Sequence, residues 1–199
     1  MNTPEKRLKD RNDAILKVRK ILSEPYFVMD TETTDKSEDG GQICELAILR
    51  KDGSYFRSYI KPTVPIMQGA NRVNHIMPYH LRDAPGIEEV IDEIPTGICA
   101  VFYNAPYDVQ ALKNSLIAKD KWFDVHSWKC IYDIMLIYAA FDGRWNNKYD
   151  SYRYHQLSKS CQECGIQLDC SAHNALSDVL MTDSLMKYMA EQELENMEQ

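Results

Sequence analysis

Asp30 and Glu32 stand two residues apart where the apolar run Tyr26-Phe27-Val28-Met29 ends. In an extended strand, residues i and i+2 project to one face, so this spacing sets two carboxylates side by side. Two adjacent anions at the end of a buried strand repel each other unless a cation sits between them. Hard oxygen ligands on a rigid element suit Mg²⁺ or Mn²⁺. A solvated acidic turn is the plainer reading of the same residues. Two further acids carry equally plain alternatives. Asp108 closes Asn104-Ala105-Pro106-Tyr107-Asp108, where Pro106 fits the first turn of a helix and the helix dipole favours a nearby carboxylate. Asp178 follows His173 by five residues, about 140° around a regular helix. The two cannot share a face, so Asn174 is expected to cap the helix carrying Asp178, with His173 on the loop before it. An imidazole near pKa 6.5 on such a loop suits a general base.

The elements that must position these residues are legible from patterning. Thr3-Pro4 reads as an N-cap and first turn, and Ala14, Ile15, Val18, Ile21 and Leu22 recur at helical spacing up to Pro25. The strand ending at Asp30 follows. A polar loop then leads to the apolar run Ile43–Leu49, and Asp52-Gly53 signals a hairpin into a third strand around Tyr55–Ile60. A Pro- and Asn-rich loop (62–85) precedes a short amphipathic helix through Ile87, Val90, Ile91 and Ile94. Ile98–Tyr103 reads as a buried strand, and Val109, Leu112, Leu116 and Ile117 as the inward face of the next helix. Helical patterns cover Ile131–Ala140, the stretch from Leu157 to Ile166, and the segment through Leu176, Leu180 and Tyr188. A strand meander followed by alternating helix and strand indicates a mixed sheet flanked by helices.

At 199 residues the chain is expected to form one main domain with its own core. The division drawn is a helical extension over 1–24, the main domain over 25–190 and an acidic tail over 191–199. No run reaches membrane-spanning length, and the charged N-terminus does not resemble a signal peptide, so a cytoplasmic setting with reduced thiols is expected. The net charge of −7 is uneven. Residues 1–24 hold seven Lys or Arg against four acids, whereas residues 160–199 hold one Lys against eight acids. This balance argues against tight, nonspecific duplex binding but is compatible with gripping a short single-stranded end.

Taken together, Asp30-x-Glu32-Thr33-Thr34, Asn104-Ala105-x-Tyr107-Asp108 and His173-x₄-Asp178 resemble, in order and spacing, the three motifs of the DEDDh 3′–5′ exonucleases. This is the DnaQ-like family of the RNase H-like superfamily, which includes exonuclease X and the proofreading subunit of bacterial DNA polymerase III. Ile43-Cys44-Glu45-Leu46-Ala47 is similar to the family's second strand, and Asn74-His75-Ile76 to the turn before its first helix. The resemblance implies an α/β RNase H-like fold, a five-stranded mixed sheet with three antiparallel strands and helices on both faces. It implies a two-metal 3′–5′ exonuclease that releases nucleoside monophosphates, with single-stranded DNA the favoured substrate. Asp30, Glu32, Asp108 and Asp178 would hold two Mg²⁺ or Mn²⁺ ions, and His173 would take the proton of the attacking water. Thr31, Thr33, Asn104 and Tyr107 would contact the substrate. Tyr103 departs from the family's usual His, and Pro106 is not its commonest residue, which bears on substrate preference rather than on the metal ligands. The expected partner is nucleic acid with a free 3′ end, with no membrane; oligomeric state is left open, a homodimer included.

Competing readings are an RNA-trimming enzyme of the same fold and a noncatalytic nucleic-acid-binding module. The four carboxylates and His173 count against the second. Cys161-x₂-Cys164-x₅-Cys170-x₂-His173 has zinc-like spacing, but its first two cysteines fall in a helical pattern and read as buried thiols. Residues 144–155 interleave aromatic and basic side chains, as a stacking platform for single strands would, or as a loop packed on the core would. His75, His80 and His126 read as structural or surface residues.

Overall fold

The computed structural model describes residues 3–167 and 174–196. Helix α1 (Pro4–Ser23) opens the chain, capped by Thr3, whose side chain accepts from the Lys6 N–H. Strands β1 (Tyr26–Thr33), β2 (Ile43–Arg50) and β3 (Tyr55–Tyr59) follow as an antiparallel meander. The β2–β3 turn carries Gly53 at φ +87°, a conformation L side chains rarely adopt. After the short helices α2 (Gln68–Asn74) and α3 (Ile87–Val90), strand β4 (Cys99–Phe102) pairs parallel with β1. Helix α4 (Ala105–Ile117) leads on to β5 (Cys130–Asp133), parallel to β4, and to α5 (Ile134–Asp142). A small hairpin, β6 (Trp145–Asn146) and β7 (Ser151–Tyr152), precedes α6 (Leu157–Glu163) and α7 (Ala175–Glu191). The sheet order β3-β2-β1-β4-β5 is the expected five-stranded mixed sheet.

Strand alternation divides the interior in two. Tyr26, Val28, Ala47, Leu49, Cys99 and Val101 face a layer built by α1, α5, α6 and α7. Phe27, Met29, Leu46, Ile48, Ala100 and Phe102 face α3 and α4. Ala14, Val18 and Ile21 of α1 join the first layer, so this helix shares the core of the sheet it precedes.

Three element assignments need correcting. Cys130–Asp133 is the fifth strand, not the start of a helix over Ile131–Ala140. The run Cys130-Ile131-Tyr132 is too short for periodicity alone to separate strand from helix. The break comes at Asp133, whose carboxylate accepts from the Met135 and Leu136 N–H groups and caps α5. The 62–85 loop contains α2. Asn74-His75-Ile76 closes that helix, with His75 in the left-handed region at φ 56°.

Candidate active site

β1 runs through Asp30 to Thr33, and its alternation sorts the motif into two sets. Asp30 and Glu32 continue the face of Tyr26 and Val28, towards α7. Thr31 and Thr33 continue the face of Phe27 and Met29, towards α4. The α7 side supplies Asp178 from the first turn of that helix, which Asn174 caps by accepting from the Ser177 N–H at 2.9 Å. Carboxylate oxygens of Asp30, Glu32 and Asp178 lie within 4.8 Å of one another, each residue half-buried. On the α4 side, the Thr31 hydroxyl donates to Asp108 Oδ1 at 2.8 Å, and the Thr33 and Tyr107 hydroxyls share a 2.5 Å hydrogen bond.

The turn that delivers Asp108 has its own clamp. Asn104 takes a left-handed conformation, φ 76° and ψ 58°, between β4 and α4. The Asn104 and Ala105 N–H groups each donate at 3.1 Å to the carboxylate of Asp133. One side chain therefore caps α5 and fixes the entry to α4.

The electrostatics are those of crowded anions. Burial, then the charges of Asp108, Asp178, Glu32 and Glu45, hold Asp30 well above the usual carboxylate range. Burial and the charges of Asp178, Glu45 and Asp108 push Glu32 up to about 8, against a lowering hydrogen bond from Asn74. Burial pushes Asp108 up to about 7, opposed by its hydrogen bonds to Thr31. Oxygen donors of this kind, brought together where their mutual repulsion is least screened, fit divalent cations such as Mg²⁺ and Mn²⁺.

Two residues not singled out as functional complete the frame. Glu45, 1% exposed, lies opposite Glu32 in the β1–β2 register. Its Oε1 accepts from Arg57 of β3 at 2.5 Å, and its Oε2 from the Ala175 N–H at 3.3 Å. It thus anchors the first turn of α7, three residues before Asp178. Asp133 is the second. An isolated acid in an apolar run carries only a weak sequence signal, and the partners that tie Glu45 to α7 and Asp133 to the start of α4 lie far off in the chain.

His173 lies outside the described residues, as does Cys170. Of the zinc-like set, Cys161 and Cys164 belong to the α6 region: the Cys161 Sγ lies 3.7 Å from the Met181 carbonyl oxygen and the Cys164 Sγ 3.7 Å from the Tyr138 hydroxyl. Among the described residues, the acidic group at Asp30, Glu32 and Asp178 is the cluster with metal-ligand spacing. Tyr103 donates its hydroxyl to the His155 carbonyl at 2.7 Å and shares a hydrogen bond with Ser160, tying the end of β4 to the segment after β7.

A five-stranded mixed sheet with acids at the end of its central strand, flanked by helices on both faces, defines an RNase H-like nuclease fold. The chain belongs to the RNase T family of exonucleases, which it matches over residues 27–186. It is 24% identical over 185 residues to the protein named uncharacterized exonuclease CP81 of Escherichia phage 186, covering 87% of this chain and 92% of that protein. It is 27% identical over 168 residues to a DNA polymerase III subunit epsilon-like protein of Rhodobacter capsulatus, covering 79% of this chain and 22% of that one. Among solved structures, Escherichia coli exonuclease I in its zinc-bound complex with single-stranded DNA superposes with a TM-score of 0.66 at 20% identity. That match covers 82% of this chain and 40% of exonuclease I. Exonuclease X with 5′-overhanging duplex DNA gives 0.62 at 19% identity, covering 82% of this chain and 90% of that one. At these identities the structural likeness concerns the fold. Among the described residues, no helix is long and apolar enough to cross a membrane.

Proposed function

We propose that this exonuclease is a divalent-metal-dependent 3′–5′ enzyme that removes nucleoside monophosphates from single-stranded DNA. The observation that carries the reading is the convergence of Asp30, Glu32 and Asp178, with Asp108 close enough to raise the pKa of Asp30. Asp30, Glu32 and Asp178 would hold one ion, and Asp30 with Asp108 a second. Such a pair, when bound, supplies charge neutralisation at the phosphodiester and an acidified water. His173 would take the proton of the attacking water. Asn104, Pro106 and Tyr107, at the start of the helix that carries Asp108, line an open cleft of about 550 Å³ bounded by Ser37 and Glu38, in which the terminal nucleotide would sit. The hydrogen bond between Thr33 and Tyr107 ties the phenol of this lining residue to β1. DNA is favoured over RNA because the relatives bear DNA polymerase names and the structural neighbours hold DNA.

Side-by-side digestion of 3′- and 5′-labelled DNA and RNA, single- and double-stranded, with Mg²⁺, Mn²⁺ or EDTA, tests each part. Metal-dependent release of labelled mononucleotide from the 3′ end of single-stranded DNA is expected. Release from the 5′ end, or undiminished turnover in EDTA, refutes the proposal.

A further inference from the structure

The cleft accounts for one nucleotide and leaves the strand behind it without a path. Helix α4 carries one. Pro106 and Gln110 line the cleft, and Lys113 and Ile117 follow at i+7 and i+11 from Pro106, the spacing of a single helix face. This face ends at a second cavity, an apolar pocket of about 120 Å³ walled by Leu112, Leu116, Ile117 and Phe123, with Trp122 at its mouth. Trp122 is 74% exposed and Ile117 64% exposed, so a large apolar surface meets solvent at the far end of α4. Lys113 and Lys121 also line the pocket. Their neighbour Lys119 is paired with Glu88 at 2.9 Å; the pocket lining holds these two lysines and no acid, while Asp120 and Asp124 stand in the adjoining segment.

We propose that this face of α4 guides the upstream part of the single strand, with a base stacked on Trp122 over the apolar pocket and the phosphates beside Lys113 and Lys121. The inference rests on the nucleic-acid reading of the cleft and adds a second contact point to it. A flat π-face beside positive charge on a chain of net charge −7 is the chemistry of a sequence-tolerant single-strand platform. Apolar cavities of about 150 Å³ accept a benzene ring, so an open pocket of 120 Å³ has room for part of a base. Eleven residues of helix separate Pro106 from Ile117, about 16 Å at 1.5 Å per residue. At a stacked spacing of about 3.4 Å that is roughly five nucleotides, and fewer if the strand is stretched.

The test compares wild type, Trp122→Ala, Trp122→Phe and Lys113→Ala/Lys121→Ala on a series of oligothymidylates from the dinucleotide to the decamer. In the wild type, kcat/KM should climb with length and level off near six nucleotides. The decamer-to-dinucleotide ratio should fall by about five- to a hundredfold in Trp122→Ala, the range for losing one stacked base. Trp122→Phe should recover most of that ratio, and the lysine pair should lose it in a salt-dependent way. Equilibrium binding of a fluorescent decamer to Asp178→Asn protein, with and without Trp122→Ala, reads the platform independently of hydrolysis. Absence of hydrolysis with intact, Trp122-dependent binding would fault the proposed reaction and leave the platform standing. A length profile and decamer affinity untouched by Trp122→Ala would overturn the platform. So would a Trp122-dependent dimer in sedimentation that leaves decamer affinity unaltered, since the patch would then serve a second copy of the chain.

Discussion

Glu32 offers a direct measure of how much the acidic cluster opposes folding when no cation is bound. Its folded-state pKa is about 8 against an ordinary value of 4.5, so at pH 7 the folded chain keeps a proton that the unfolded chain has lost. Each pH unit between 4.5 and 7 is worth about 1.4 kcal/mol, giving a penalty on the order of 3 kcal/mol at pH 7. The sign follows from the direction of the shift. A carboxyl whose folded value is raised favours folding fully below about pH 4.5, and that contribution is lost as pH rises towards 8. Glu32→Gln keeps the shape and removes the titration. In EDTA at pH 7 the variant should therefore be more stable than wild type by about 3 kcal/mol, or roughly 6–12 °C in Tm for a chain of this size. The gain should vanish near pH 4 and widen towards pH 8. Urea unfolding at several pH values, with EDTA or Mn²⁺, is the assay. Mn²⁺ should narrow the difference, because a ligand that binds only the folded state stabilises the wild type by mass action. A variant no more stable than wild type at pH 7, or a gain that persists unchanged at pH 4, would refute the reasoning.

Asp30→Asn and Asp178→Asn should each remove most nuclease activity while keeping a native far-UV spectrum; near-normal turnover by a folded variant would contradict the proposed ligand set. Glu45→Ala should lower stability by about 2 kcal/mol, since it leaves Arg57 and the Ala175 N–H without their shared acceptor. Its kcat should fall, with Glu45→Gln intermediate, as measured by denaturation and steady-state kinetics. Thr31→Val removes the hydroxyl that donates to Asp108, so the Asp108 pKa, already about 7 without metal, should rise further. Metal titration at pH 6 to 8 should then show binding weakened most at the acid end. Asp133→Ala strips acceptors from the first N–H groups of α4 and α5 together, and a loss of about 2–3 kcal/mol is expected in thermal unfolding.

The meander, the β4 strand and the helix starts were legible because the signals they leave are local, whereas the count of five strands and the joining of Asp108 and Asp178 to Asp30 and Glu32 came from the family resemblance. Asp52-Gly53 gives the hairpin, Thr3-Pro4 and Asn174 give helix starts, and the Asp30-x-Glu32 spacing gives a shared face. What escaped depended on distant partners. Ile131–Asp133 reads as helix because so short a stretch running into an apolar helix shows no change of period; only pairing with β4 makes it part of a strand. Glu45 reads as one letter of a strand, and its role exists only once Arg57 and Ala175 meet it from two other elements. Trp122 and Ile117 give no sign in sequence of being exposed, because Ile117 fits the inward pattern of Leu112 and Leu116 until the helix ends beneath it.

The site depends most on the register of a single strand. On β1 the carboxylates of Asp30 and Glu32 meet α7, while the hydroxyls of Thr31 and Thr33 meet Asp108 and Tyr107 on the α4 side. A slip of one residue would exchange the two sets, turning both acids towards Asp108 and leaving Asp178 opposite threonines. Pairing with β2 guards against this, running unbroken from Phe27↔Arg50 to Glu32↔Glu45 and shifting only at the irregularity between Glu32 and Thr33. Repulsion within the cluster works against that register, so hydrophobic pairing has to outweigh it. Phe27, Val28, Met29, Leu46, Ala47 and Ile48 are all fully buried, and both faces of the strand pair are apolar up to the last residue before the acids. The strand is thus fixed from its buried end, and the anions are carried into proximity by residues that take no part in the chemistry.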